Sequence, residues 1–230
     1  MNTLGIIGGV APESTIEYYR LLVNGFLDAK QDGNYPNIII NSINMKKMLD
    51  LIAAGELEHV TDYLVDEVQK LARAGATIGL LASNTPHIVF DAIRDKSPIP
   101  LISIVEATCE HVNSFGLNNV GLLGTRSTMQ RNFYQDVFTR FQITVVTPDD
   151  TDQLYIHDRY IAELVKGIFR DDTHEKLQAI VHKLIFKHHI KGLILGGTEL
   201  PFILKENDKI GIPFFDTAKI HVKAALKMII

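Results

Sequence analysis

Apolar positions along the chain fall into two alternating patterns. Short, nearly unbroken apolar runs ("LGIIG" from Leu4, "NIIINSI" from Asn37, "TIGLLAS" from Thr77, "NNVGLLGT" from Asn118, "ITVVTP" from Ile143 and "KGLILGG" from Lys191) read as strands buried on both faces. Between them, apolar residues recur at helical spacing. In "TIEYYRLLVNGFLDA" the residues Ile16, Tyr19, Leu22 and Phe26 are assigned to one face, with Ser14 or Thr15 as the cap. "GELEHVTDYLVDEVQKLARAG" sets Leu57, Val60, Leu64, Val68 and Leu71 on one stripe and stops at Gly75. "YIAELVKGIF" and "THEKLQAIVHKLIFKHH" predict two more helices. Strands alternating with helices predict parallel sheets covered on both sides, the α/β class.

The strands also repeat. "GLLASNTPHIVFDAI" at Gly79 and "GLILGGTELPFIL" at Gly192, 113 residues on, are both apolar runs that break on small and polar residues before a helix. "LGIIGGVAPEST" at Leu4 matches "VGLLGTRSTMQ" at Val120, and "IPLISIVEAT" at Ile99 matches "IPFFDTAKI" at Ile212. Three units in the same order argue for two related halves. The expected fold is two pseudo-symmetric α/β domains, each a mostly parallel sheet flanked by helices. Residues 1–105 plus 210–230 are assigned to the first domain and 106–209 to the second, with the C-terminal strand "IPFFDTA" completing the first sheet.

Composition narrows the function classes. The chain has 230 residues, 46% of them hydrophobic and 22% charged, which is ordinary for a globular protein. A net charge of -4 without a strong basic cluster disfavours nucleic acid, and "HKLIFKHHIK" reads as a solvated basic helix face. No apolar run is long enough to span a membrane, no leader-like segment follows Met1, and the single cysteine, Cys109, excludes an internal disulfide; a cytoplasmic protein is expected. Cys109 itself reads as a small buried residue of a helix.

In parallel sheets, ligands bind beyond the carboxyl ends of the strands, where free N–H groups of helix N-termini attract anions. Two halves facing each other would bring "GGVAPEST", "SNTPH", "GTRST" and "GGTE" to a cleft between the domains, and these small, hydroxyl-rich loops suit a small carboxylate. Neither G-x-G-x-x-G nor the P-loop pattern is present, so a nucleotide loop is set aside. His182, His188 and His189 lack metal-site spacing, so no metal is expected. Ser83 and His87 do not form a hydrolase pair, because the nucleophile-elbow pattern is missing.

On "GIIGGVAPESTIEYY", "SNTPH", "LLGTRSTM", "YIAELVKG" and "LGGTELPFIL", in that order and spacing, the sequence resembles the aspartate/glutamate racemases that work without pyridoxal phosphate. The resemblance implies two pseudo-symmetric α/β domains with the active site between them, no cofactor, a homodimer, and a small dicarboxylic amino acid as substrate. It implies that Asn84 and Thr85 hold a carboxylate, that Thr198 and Glu199 face the ammonium or a second carboxylate, and that Thr125 and Thr128 line the other domain's loop. Lys166 matches a lysine that can face the distal carboxylate, or is solvent-exposed. The resemblance implies cysteine at two positions where this chain has Ser83 and Gly197.

Two-base racemisation needs one group to take the α-proton and another, on the opposite face, to return one. A thiol ionises near pH ~8.5, whereas a serine hydroxyl resembles water at about 15.7, so forming a Ser83 alkoxide costs roughly 10 kcal/mol more. Gly197 offers no side chain. Glu199 and His87 are the ionisable neighbours that could substitute, His87 alternatively packing at its helix start. Racemisation of aspartate or glutamate is therefore expected to be very weak or absent, and the alternative is a binding or regulatory protein of the same fold.

Overall fold

The computed structural model describes residues 2–205, 208 and 210–230. The chain divides into two compact units, Met1–Ile104 with Ala218–Ile230, and Val105–Thr217.

The first unit is built on four parallel strands, β1 (Leu4–Gly8), β2 (Ile38–Ser42), β3 (Ile78–Leu81) and β4 (Leu101–Ile102), in the order β2-β1-β3-β4. Side chains of the inner strands β1 and β3 alternate between two cores, which is why those apolar runs are unbroken, whereas the edge strand β2 is less covered and leaves Ile40 exposed. Leu4, Ile6, Ile78 and Leu80 pack under α1 (Pro12–Lys30) against Tyr18, Leu22 and Phe26, with Val222 and Ala225 of the C-terminal helix. Ile7 and Leu81 point the other way, onto α2 (Met45–Ala53), α3 (Leu57–Arg73) and α4 (Phe90–Lys96). Val60, Leu64, Val68 and Leu71 form the buried stripe of α3, as their spacing predicts.

The α1 stripe needs correction. Ile16 and Tyr19 are 61% and 50% exposed, and Tyr18 is buried instead. The stripe runs Ser14, Thr15, Tyr18, Leu22, Phe26, because the first turn lies at the strand ends and is held by hydroxyls. Neither Ser14 nor Thr15 caps the helix. Ala11 is the N-cap and Pro12 opens the first turn. Thr15 Oγ1 accepts from the Gly9 N–H at 2.8 Å, and Ser14 Oγ donates to the Ala82 carbonyl at 2.9 Å.

Two buried histidines stiffen this unit where β4 passes into α5 (Ile104–Ser114). His221 donates from Nε2 to the Ile102 carbonyl at 3.0 Å and accepts from the Tyr18 hydroxyl at Nδ1, 2.9 Å. His87 accepts from the Ile104 N–H at 3.1 Å. Burial holds the His221 pKa down at about 4.

The second unit repeats the plan. Strands β5 (Asn119–Gly124), β6 (Thr144–Val146), β7 (Leu193–Gly196) and β8 (Phe214–Asp216) are all parallel, in the order β6-β5-β7-β8. Helices α6 (Arg126–Gln130), α7 (Phe133–Thr139), α8 (Asp150–Ala162), α9 (Asp171–His188) and α10 (Leu200–Ile203) precede α11 (Thr217–Ile229), most of which belongs to the first unit. Leu123, Leu193 and Leu195 pack against Ile156 and Tyr160 of α8 and Leu177, Ile180, Val181 and Leu184 of α9.

The two sheets therefore share one strand order, as two related halves require. Their registers align Gly5 with Gly79 and Gly121 with Leu193, so the equivalent of Gly79 is Leu193 rather than Gly192. The strand "IPFFDTA" does not complete the first sheet. It is β8, paired with β7 from Leu193–Phe214 to Leu195–Asp216, in the place that β4 takes in the first sheet. "YIAELVKGIF" is not one helix either. α8 stops at Ala162, a 3-10 turn spans Leu164–Lys166, and Gly167 ends it at φ +70°. The break is fixed by Glu163, whose buried carboxylate takes Arg159 Nη1 at 2.8 Å and Thr173 Oγ1 at 2.7 Å. Among the described residues, no helix is long and apolar enough to cross a membrane.

Candidate functional site

Each unit ends its third strand in a loop that carries residues singled out in the sequence. In the first, β3 closes at Leu81, and the Ser83 N–H folds back to the Leu81 carbonyl at 2.8 Å. A 3-10 turn over Thr85–Val89, with Pro86 in its first turn, leads into α4. Ser83, Asn84, Thr85 and His87 are all buried.

His87 has no free ring nitrogen. The Ile104 N–H can only donate, so Nε2 accepts and Nδ1 carries the proton, which goes to the Ser83 carbonyl at 2.9 Å. The ring stacks on Phe90 with centroids 4.7 Å apart. Burial, and secondarily His221, hold its pKa well below the usual histidine value. Neutral, with both nitrogens engaged, His87 acts as a bracket between the Ser83 loop and the start of α5. The packing reading of this residue holds.

In the second unit the corresponding loop runs from Gly196 through Glu199. A Cβ at Gly197 would lie 2.5 Å from Tyr160 Cε2 and 2.7 Å from the Tyr160 hydroxyl. No real side chain tolerates such approaches, so the ring of Tyr160 fills the space that a residue-197 side chain would take. Tyr160 is buried on α8, and its hydroxyl donates to Glu199 Oε2. The Thr198 hydroxyl donates to the same oxygen at 2.9 Å. Glu199 Oε1 is also buried and meets no donor among the described residues. Burial and the adjacent negative charge of Glu199 raise the Tyr160 pKa well above the ordinary phenol value.

Nothing in the periodicity marks Tyr160 as more than a core residue of "DRYIAELVKG". The signal available in the sequence is indirect: a glycine where a side chain is expected leaves a volume that a distant residue must fill.

Thr125 is the N-cap of α6. Its Oγ1 accepts from the Thr128 N–H at 3.3 Å and lies 3.0 Å from the Thr128 hydroxyl. Thr128 is wholly buried, packed where Cβ atoms at Gly124 and Gly196 would stand. Lys166 lies on the 3-10 turn after α8, exposed, its N–H bonded to the Glu163 carbonyl at 2.9 Å. Cys109 is fully buried in α5, and burial raises its thiol to about 11, so it is the inert core residue its context predicts. Structure thus joins Thr198, Glu199 and Tyr160 into one cluster, pairs Thr125 with Thr128, and pairs Ser83 with His87.

Two repeated parallel α/β units, each ending its third strand in a buried hydroxyl-bearing loop, define the class of protein. The family model for Asp/Glu/hydantoin racemases matches residues 7–225, and the chain belongs to that family. It is similar to the broad-specificity amino-acid racemase RacX of Bacillus subtilis, 23% identical over 97% of this chain and 96% of the relative. Among solved structures, a candidate Asp/Glu racemase from Yersinia pestis superposes with a TM-score of 0.90 at 33% identity, covering 99% of both chains. An aspartate racemase homologue from Pyrococcus horikoshii gives 0.85, also at 33% identity and 99% of both chains.

Proposed function

We propose that the chain binds a small amino acid, aspartate or glutamate in the first instance, at its strand-end loops, and that it does not perform two-base racemisation by thiols. The observation that carries the second half is Tyr160 in the space of a residue-197 side chain. Three further facts support it. Ser83 is a hydroxyl, too weak an acid to serve as a free base. His87 is neutral with both nitrogens held by backbone groups. Cys109 is buried in the core with a high pKa.

The binding half rests on the chemistry of the loops. Asn84 and Thr85 lie where a third parallel strand turns into a helix, the usual place for an anionic group. Thr198 and Glu199 form the polar counterpart in the second unit. Lys166 is exposed and available to a distal carboxylate. A homodimer is proposed from the family resemblance and is read by light scattering after gel filtration.

Calorimetric titration with the L and D forms of aspartate and glutamate tests the binding. The expected outcome is heat from at least one of the four. No heat from any of them overturns it.

A further inference from the structure

We infer that the open edge of the first sheet at β2, together with the outer stripe of α1, is the surface on which a second copy of this chain docks. The inference gives the homodimer reading a face and rests on it for the identity of the partner; it is independent of the amino-acid site.

The sheets end on β2 and β4 in the first unit and on β6 and β8 in the second. β4 has two residues and β6 and β8 have three each, whereas β2 has five, Ile38–Ser42. The Leu4 N–H donates to the Asn37 carbonyl at 2.9 Å, and the Ile43 N–H donates to the Gly8 carbonyl at 3.0 Å. Alternation along a parallel strand then turns the backbone of Asn37, Ile39, Asn41 and Ile43 toward β1. The N–H and C=O groups of Ile38, Ile40 and Ser42 point outward. Open edges are ordinarily blunted by lysine, proline or a bulge. "IIINS" contains neither residue, and its register with β1 runs through all five positions without a bulge.

Apolar surface adjoins that edge. Ile38 packs into the α1 core and Ile39 into the opposite one, so Ile40 stands on the α1 side, 40% exposed. On α1, Pro12, Ile16, Tyr19 and Val23 make a second stripe beside the buried Tyr18, Leu22 and Phe26. Pro12, Ile16 and Tyr19 are exposed and Val23 is half-buried. Apolar groups gathered at an unpaired edge mark a contact surface.

One two-fold axis satisfies both features. Centred on Ile40, antiparallel pairing exchanges the Ile40 N–H and C=O with those of the partner's Ile40 and sets Ile38 opposite the partner's Ser42. The same axis runs α1 antiparallel to its copy. The stripe's spacing reads the same in both directions, so Ile16 meets the partner's Tyr19 and Pro12 meets the partner's Val23. Glu13 then lies beside the partner's Arg20, and the match occurs twice. Glu17 of the same helix already orients Arg20 through Nε and Nη2, which leaves Nη1 for the second carboxylate. This charge match selects a copy of the chain over an unrelated strand.

Sedimentation velocity on the full chain tests the inference, with circular dichroism and urea midpoints to show that each variant is folded. A dimer is expected at micromolar concentration. Ile16→Lys places a charge on the stripe of both copies and should raise the dimer Kd at least about 30-fold. Ile40→Pro should act likewise, because proline is tolerated where an edge N–H faces outward and removes both bonds at the axis. Glu13→Arg and Arg20→Glu should each weaken the dimer about 10-fold, and an equimolar mixture of the two should recover it, since opposite charges then face each other at both ends.

A monomer at every concentration up to the solubility limit overturns the inference and the homodimer reading together. A dimer whose Kd is unchanged in Ile16→Lys, or no recovery in the mixture, overturns this face while the homodimer stands. Should Ile40→Pro fail to fold, Ile16→Lys and the mixture decide, because those positions are exposed.

Discussion

Acid should weaken the first unit well above the pH at which its carboxylates titrate, and His221 sets the size of the effect. The imidazole is buried, donates to the Ile102 carbonyl and accepts from Tyr18, an arrangement that fits only the neutral ring. Its pKa of about 4 lies below the ordinary histidine value of about 6.5. Between those two values the unfolded chain binds a proton that the folded chain refuses, so stability falls as the pH is lowered. The contribution is fully present above pH ~6.5 and is lost progressively on the way down to about 4. At roughly 1.36 kcal/mol per unit the whole effect is about 3 kcal/mol, of which about 2.5 is gone by pH ~4.5. His87, likewise buried and lowered, adds in the same direction. Glu67, Glu163 and Asp208 have lowered pKa values and lose their stabilisation below the normal carboxylate range, at more acid pH.

The assay is urea unfolding between pH 7.5 and 4.5. The chain has no tryptophan, so Tyr19→Trp on the exposed side of α1 supplies a reporter within the first unit. In His221→Gln, which keeps polar groups toward Tyr18 and Ile102 and cannot titrate, the pH slope should shrink by up to one proton. Stability that is flat from pH 7.5 to 4.5, or an unchanged slope in His221→Gln, would refute the reasoning.

Three further outcomes are expected. Gly197→Cys alone should destabilise by about 1–3 kcal/mol through overpacking against Tyr160, whereas the same change made in a Tyr160→Ala background, where that clash is gone, should cost less than about 0.5 kcal/mol relative to Tyr160→Ala, both read by chemical denaturation. Tyr160→Phe removes one of the two donors to Glu199 Oε2 and should cost about 1–2 kcal/mol of stability, visible as a lowered Tm in calorimetry. Cys109 should resist iodoacetamide at pH 8 in the folded chain and react once urea is added; rapid labelling of the native protein would contradict its buried, high-pKa state.

Much of the fold was legible because parallel strands buried on both faces leave unbroken apolar runs. The buried inner strands β1, β3, β5 and β7 lie within such runs, and the partly exposed edge strands β2 and β6 were legible because they are apolar as well. The internal repeat carried more than the periodicity did. It placed β4 and β8 as equivalents, and followed consistently it would have put β8 in the second sheet rather than the first. The α1 stripe departs from its apolar spacing because hydroxyl residues at the strand ends are buried through hydrogen bonds, which an apolar count cannot register. Ser14 and Thr15 are the case in point.

In the candidate site, Ser83, Gly197, Thr198 and Glu199 stand in a short-range pattern and could be named from the chain. Tyr160 could not, because its role depends on a contact between α8 and the loop after β7, far apart in sequence. The same is true of His87, whose two bonds reach Ser83 and Ile104, and of His221, whose partners are Tyr18 and Ile102.

Exchange of the α-proton with solvent deuterium, followed by NMR for L- and D-aspartate and L- and D-glutamate, bears most directly on the claim that this chain holds an amino acid without racemising it. Negligible exchange from every enantiomer is expected at protein concentrations where calorimetry shows binding. The triple variant Ser83→Cys, Gly197→Cys, Tyr160→Ala should introduce exchange, since it supplies both thiols and the room for the second. Fast exchange from both enantiomers of one amino acid in the unaltered chain would contradict the account and would point to Glu199, the carboxylate of the loop after β7, as the working base, since the other groups there are a hydroxyl, a bracketed histidine and a tyrosine.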